Sequence, residues 1–212
     1  MTINKSKHLN CVLQSHSMKH IYTLMKKYEN KRKDIKEALE SHYGANIYSP
    51  INSGSYAKNV AINTKFDLDI VIPFKYNSVT SLEKMYDSIY QYFNKTYRKK
   101  EPNIKIKKQD VSINLIFGKG EKELNIDIVP GREVQNGSYK INKNLHLHFN
   151  LSKRSSIQTN IEKQINHIKG RSAERDCIKL LKIWKTQKNR KYKSFFLELL
   201  VIRAFEQARN QT

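Results

Sequence analysis

The sequence predicts an α+β protein in which a mixed or antiparallel sheet is flanked by helices, with a long helix before the sheet and a helical lobe after it. Three observations point there. Apolar residues recur at helical spacing from Lys7 to about His42, short apolar or alternating runs punctuated by glycine turns fill the middle, and two more helical patterns follow Ile161. Residues 1–45 then form one long helix, or two broken near Ser15 or Asn30, packing on the core. Residues 46–156 form the core and residues 157–212 the C-terminal helical lobe.

Within the first segment Leu9, Val12, Leu13, Ile21, Leu24, Met25, Tyr28, Ile35, Ala38 and Leu39 carry the helical period, and Gly44 supplies a stop. Phe66 to Pro73 alternates and then turns fully apolar, which reads as a strand. Thr80 and Glu83 have the spacing of a capping box ahead of a helix over about Ser81 to Arg98, with Leu82, Met85, Tyr86, Ile89, Tyr90 and Phe93 on one face. Val111 to Phe117 and Leu124 to Val129, joined across Gly118-Lys119-Gly120, read as a hairpin. Residues 132–156 are polar, with turn signals at Asn136-Gly137 and a short alternating piece from Leu145 to Leu151. Ile161 to Thr186 and Ser194 to Ala208 read as two helices.

With 212 residues and 38% hydrophobic content, the chain can bury one sizeable core unaided. Cys11 and Cys177 lie far apart and have no metal-ligand spacing, so neither a disulfide framework nor a zinc site is expected. The most apolar run, Phe195 to Ile202, is short and interrupted by Glu198, and the N-terminus lacks the apolar block of a signal peptide. A cytoplasmic protein with no membrane association is expected. The formal charge of +21, from 40 Lys plus Arg against 19 Asp plus Glu, implies a strongly positive field and a polyanionic partner. A lysine-rich solvated surface gives the same number, and the basic block from Lys95 to Lys108 does not separate the two readings.

The string SGSYAKNVAINTKFDLDIVIPF places Gly54-Ser55 ahead of Asp67-Leu68-Asp69 with eleven residues between. Residues two apart on a strand share a face, so Asp67 and Asp69 project together while Leu68, Ile70 and Ile72 face the core. In LNIDIVP, Leu124, Ile126 and Ile128 take the buried face and Asp127 the other. If the two strands are neighbours, three carboxylates converge. They repel one another unless a cation neutralises them, and hard oxygen ligands favour Mg2+ or Mn2+. Two such ions roughly 3.5 to 4 Å apart stabilise the attacking and leaving oxygens of an in-line displacement. Gly54 permits close backbone approach to a phosphate, and Ser55 adds a hydroxyl and an N–H. Each part has a plain reading, Gly-Ser as a turn and the aspartates as solvated strand residues. Their joint occurrence is what argues for phosphoryl transfer. His146 and His148 lack a third ligand at a sensible spacing and read as a solvent-facing strand. Tyr56 and Trp184 read as core aromatics.

On these residues the sequence resembles the DNA polymerase beta-like nucleotidyltransferase superfamily, whose motif is Gly-Ser, about a dozen residues, Asp-hydrophobic-Asp or Glu, and a third acid on a later strand. The resemblance implies a nucleotidyltransferase fold, with Asp67, Asp69 and Asp127 as catalytic metal ligands and Gly54 and Ser55 on the triphosphate. ERDCIKLLKIWKTQ followed by KSFFLELLVIRAFE, together with DIVPG, is similar to the cyclic GMP-AMP synthase, oligoadenylate synthetase and bacterial CD-NTase group. That likeness gives Lys182 and Ser194 triphosphate-binding roles, whereas alone they read as a solvated lysine and a helix N-cap. It implies an enzyme joining nucleoside triphosphates into a cyclic or linear oligonucleotide signal, the kind used in antiphage defence.

Members of the resembled group carry more helix after this segment, so an incomplete helical lobe is expected. Leu199, Leu200, Ile202 and Phe205 would then pack on the N-terminal helix, a second copy or a partner protein. Two other functions fit the residues. An RNA 3'-end nucleotidyltransferase suits the charge of +21. A non-catalytic basic module that binds nucleic acid on the same fold suits it too, although three intact aspartates argue against a degenerate site. A nucleic-acid activator is compatible with the signal synthase.

Overall fold

The computed structural model describes residues 4–64, 66, 68–120, 123–151 and 156–211. In chain order these form α1 (Lys5–Ser15), a 3-10 turn (Met18–Ile21), α2 (Tyr22–Tyr43), β1 (Ile51–Ser53), the single-turn α3 (Gly54–Ala57), β2 (Leu68–Phe74) and α4 (Leu82–Gln91). A π-helical turn (Tyr92–Tyr97) leads to α5 (Arg98–Lys100), then β3 (Lys105–Lys108), β4 (Ile113–Phe117), β5 (Leu124–Glu133), α6 (Tyr139–Asn142), β6 (Leu145–His148) and β7 (Ser156–Thr159). The helices α7 (Ile161–Ile168), α8 (Ser172–Gln187) and α9 (Ser194–Arg209) follow. The chain forms two compact units, a sheet unit of Thr23–Gly54 and Asp67–Lys163 and a helical unit of Met1–Tyr22, Ser55–Phe66 and Gln164–Thr212. No helix among the described residues is long and apolar enough to cross a membrane.

The sheet is mixed and runs β1-β2-β5-β4-β3, with β6 on the distal half of β5 and β7 beyond β6. Among the described residues only β2 and β5 pair in parallel. Leu68, Ile70 and Ile72 of β2, Ile126 and Ile128 of β5, and Ile113 and Leu115 of β4 are fully buried, the alternation that period two requires. Beside them lie Met85, Tyr86, Ile89 and Phe93, the i, i+4, i+8 face of α4 and its π-helical extension. Fully burying each such side chain contributes about 2 kcal/mol. The buried stripe of α2 adds Met25, Tyr28, Ile35, Leu39 and Tyr43, with the Tyr43 ring 5.1 Å from Phe74 and the Tyr28 hydroxyl accepting from Asn125 N–H at 2.8 Å.

Of the two breaks read for the N-terminal helix, the one near Ser15 is observed, at His16-Ser17 ahead of the 3-10 turn, and not the one at Asn30. Other boundaries differ from the sequence reading. Ser81, not Thr80, caps α4, its hydroxyl accepting from Lys84 N–H at 3.1 Å. The helix read from Ile161 to Thr186 is two, because Gly170 sits at φ +77, a left-handed conformation that ends α7. In the polar stretch after Arg132 the alternating piece forms β6 over Leu145–His148, and β7, which the sequence reading did not include, pairs with it.

The helical unit packs Val60, Ile168, Ile178, Val201 and Ile202 into one cluster, joined by Cys177, Leu181 and Phe205. Of the α9 residues expected to need a covering surface, Ile202 and Phe205 belong to this cluster. Leu199 and Leu200 are exposed, as are Phe195 and Phe196. Trp184, read as core, is 41% exposed.

Glu133, at the end of β5, is buried at 1% exposure and binds together three loops of the sheet unit. Its carboxylate accepts from Tyr76 N–H (2.9 Å), Tyr139 N–H (3.1 Å) and the Tyr48 hydroxyl (3.1 Å). Burial alone would raise its pKa. The donors, with Gly137 N–H, outweigh burial and hold it below the ordinary 4.5. A depressed folded-state value means that this stabilisation is present above the unfolded value and lost as pH falls below it. Glu133→Gln is expected to cost about 2 kcal/mol at neutral pH, measured by urea unfolding. The difference from wild type should narrow at more acidic pH.

Candidate active site

The parallel register sets Asp69 of β2 directly beside Asp127 of β5, on the face opposite the α4 core. The same row runs outward through Ser53 of β1 on one side and Asn114 of β4 and Lys107 of β3 on the other. Directly registered neighbours on adjacent strands lie about 5 Å apart, so the two carboxylates belong to one site. Asn114 is buried at 8% exposure and its amide donates to Asp127 Oδ1 at 2.8 Å, fixing the rotation of that carboxylate.

Gly54 follows Ser53 at φ +76, and a Cβ on it would lie 1.6 Å from Asp69 Oδ2. Only glycine leaves that space to the carboxylate. Asp67 lies outside the described residues, and among those described no group of three His, Cys, Asp or Glu is gathered as a metal site. The donor set still suits a divalent cation: two hard carboxylates held side by side, one pressed into a cradle that a side chain would fill.

In the helical unit Ser55 lies on α3, and its carbonyl accepts from Val60 N–H at 3.0 Å. Lys182 projects from α8 into a buried cluster, donating to the Val60 carbonyl at 3.0 Å, with Glu198 Oε1 at 3.6 Å. Glu198 also receives Lys58 Nζ at 2.5 Å, and Lys58 lies 5.2 Å above the Phe195 ring. All three charged residues are at most 8% exposed. Burial pushes the Lys182 ammonium down to about 8, with Glu198 opposing and Lys58 adding to the shift. Ser194 is the first residue of α9. Lys193 holds the N-cap position without a side-chain cap bond, which corrects the reading of Ser194 as the cap. The Ser194 hydroxyl accepts from Lys185 Nζ at 3.0 Å. Tyr56, rather than sitting in a core, lines a cavity of about 440 Å³ together with Asn59, Ile62, Asp176 and Lys179.

Three residues at these sites were not singled out by sequence reasoning. Lys58 was one lysine among many, and Asn114 sat in an otherwise apolar strand, a signal that was present. Glu198 had been noted only as the acid interrupting an apolar run.

A mixed α+β sheet that seats paired aspartates beside a glycine turn is the arrangement expected above for a nucleotidyltransferase fold. Residues 7–167 match the family described as Second Messenger Oligonucleotide or Dinucleotide Synthetase domain, and the chain belongs to that family. No curated protein matches the sequence. Among solved structures, the chain is similar to E. coli MS115-1 CdnC with ATP at 20% identity and TM-score 0.70, covering 95% of this chain and 65% of that one. CdnC in its complex with HORMA-deltaN gives 20% identity and TM-score 0.61, covering 86% and 58%. The Elizabethkingia meningoseptica CdnE cyclic dinucleotide synthase with GTP and Apcpp gives 15% and 0.61, covering 82% and 67%. At these identities the likeness is one of fold, and this chain spans about two thirds of the length of those proteins or less.

Gly54→Ala forces both a strained φ and displacement of Asp69. It is expected to cost about 1 kcal/mol or more and to weaken Mn2+ binding, read by thermal melting with and without the metal. Unchanged Mn2+ binding would show that Asp69 does not depend on this cradle.

Proposed function

We propose that this chain is a metal-dependent nucleotidyltransferase that joins nucleoside triphosphates into a cyclic or linear oligonucleotide second messenger in the cytoplasm, in antiphage defence. The observation that carries the reading is the registered pair Asp69 and Asp127 beside the Gly54 cradle. Asp67, Asp69 and Asp127 would hold two Mg2+ or Mn2+ ions, and such ions would supply positive charge for the attacking hydroxyl and the leaving pyrophosphate. Asn114 keeps Asp127 in one rotamer. Gly54 and Ser55 take the triphosphate through backbone and hydroxyl, and Lys182 and Ser194 take it through an ammonium and a hydroxyl. The solved relatives were seen with ATP, or with GTP and Apcpp, in keeping with such substrates. CdnC in complex with HORMA-deltaN supports a protein partner for this chain as well, with the exposed α9 residues as its contact.

Incubation with labelled ATP, GTP, CTP and UTP and Mg2+ is expected to give phosphatase-resistant products. Asp69→Asn and Asp127→Asn should each reduce them by about a hundredfold or more, as loss of a transition-state charge contact does. Failure of the wild-type chain to form product, with or without a nucleic-acid activator, overturns the reading. The charge of +21 favours a second reading, addition of nucleotides to an RNA 3' end. Elongation of a labelled RNA primer in place of small products would establish it.

Lys182 titrating near 8 gives a pH signature. The ammonium that attracts the triphosphate is present below that value and lost above it. Nucleotide affinity is therefore expected to fall above about pH 8, approaching tenfold per unit, in equilibrium titrations with ATP. Lys182→Arg, which stays charged, should abolish the fall.

A further inference from the structure

The strand β3 places its lysines on two faces that face different chemistry. Lys108 registers with Ile113 and so lies on the α4 side, where it pairs with Asp87 at 2.6 Å and stands over the Tyr86 and Tyr90 rings. Lys107 registers with Asn114, which registers with Asp127. Lys105, two residues along, shares its face. Both are exposed, and no carboxylate among the described residues pairs with either. The carboxylate row of the sheet thus ends at Lys107, whose backbone lies two strand spacings or about 10 Å from that of Asp127, with Lys105 on the same face in the next row, that of Ile116 and Asn125.

We infer that Lys105 and Lys107 form a second anion subsite, which holds the phosphates of the acceptor nucleotide or of the growing oligonucleotide while its hydroxyl lies at the carboxylates. This rests on the nucleotidyl-transfer reading above. A reaction that joins two nucleotides brings together two phosphate-bearing molecules, and the metal carboxylates and the triphosphate residues account for the donor alone. The acceptor is equally anionic. Its binding next to a row of aspartates needs positive charge within reach on the same face, and the long flexible ammonium arms of two lysines supply point charges suited to phosphate. Asn114, buried between Asp127 and Lys107, keeps the intervening strand polar without adding charge. Lysines on an edge strand also discourage strand pairing. That role asks for charge on either face, and Lys108 serves it while paired to Asp87.

The test compares the full chain with Lys105→Glu/Lys107→Glu, both at exposed positions, after thermal melting has verified the fold. Anisotropy of a labelled 5'-phosphorylated triadenylate and calorimetry with ATP are read in parallel with Mg2+ present. A loss of tenfold or more for triadenylate with ATP affinity unchanged supports the subsite. Unchanged triadenylate binding, equal loss of both ligands, no triadenylate binding by the wild type, or loss confined to a long RNA duplex overturns it, the last assigning the lysines to a general nucleic-acid surface. Product formation from nucleoside triphosphates separates the two claims. A wild type that turns over while the variant keeps its acceptor dependence defeats the subsite alone. A wild type that makes no product yet holds triadenylate through these lysines defeats the transferase reading alone.

Discussion

The parallel pairing of β2 with β5 is the constraint on which the site depends. Seven consecutive residue pairs from Leu68↔Ile126 to Phe74↔Arg132 fix its register, and Asp69↔Asp127 is the second of them. Side chains alternate along each strand, so a slip of one residue would set Asp127 beside Leu68 or Ile70, moving one buried face into solvent. Burial of Leu68, Ile70, Ile126 and Ile128 therefore fixes where the carboxylates meet. The free energy that stabilises the core is the same free energy that brings two like charges together.

Local period made the strands and their faces legible in the sequence. Asp127 opposite Ile126 and Ile128, the hairpin across Gly118 to Gly120 and the amphipathic α4 all follow from spacing alone. The partner of each strand did not follow, because α4, its π-helical extension, α5, β3 and β4 lie between β2 and β5 and parallel pairing leaves no turn signature. The strand β6 showed in its alternation, with Leu145 and Leu147 buried and His146 and His148 between and after them, whereas β7 was obscured because none of its residues is buried. Cap positions shifted by a single residue, Thr80 to Ser81, since both carry a hydroxyl able to accept. Lys58 and Glu198 stand 140 positions apart, and nothing local marks them as partners.

The cluster of Lys58, Glu198 and Lys182 places two ammonium groups on one carboxylate in a buried setting, leaving one positive charge in excess. Such an arrangement costs desolvation that pairing offsets only in part. The Val60 carbonyl and the face of Phe195 supply further compensation, and the depressed pKa of Lys182 is the residue of that cost. Glu198 is thus held by its neighbours as firmly as it holds them. Removing it would leave two buried cations unmatched.

The lysine-bearing β3 edge also limits how copies of the protein can associate. An open strand offers unpaired N–H and C=O groups to any second strand of suitable length. On β3 that offer comes with Lys105, Lys107 and Lys108 within four residues. Two such edges approaching antiparallel would bring six ammonium groups into a ladder only a few ångströms wide. The sheet therefore ends at β3 electrostatically as well as topologically. Growth of a continuous sheet between copies is closed off there, and any homotypic assembly is left to surfaces of another kind.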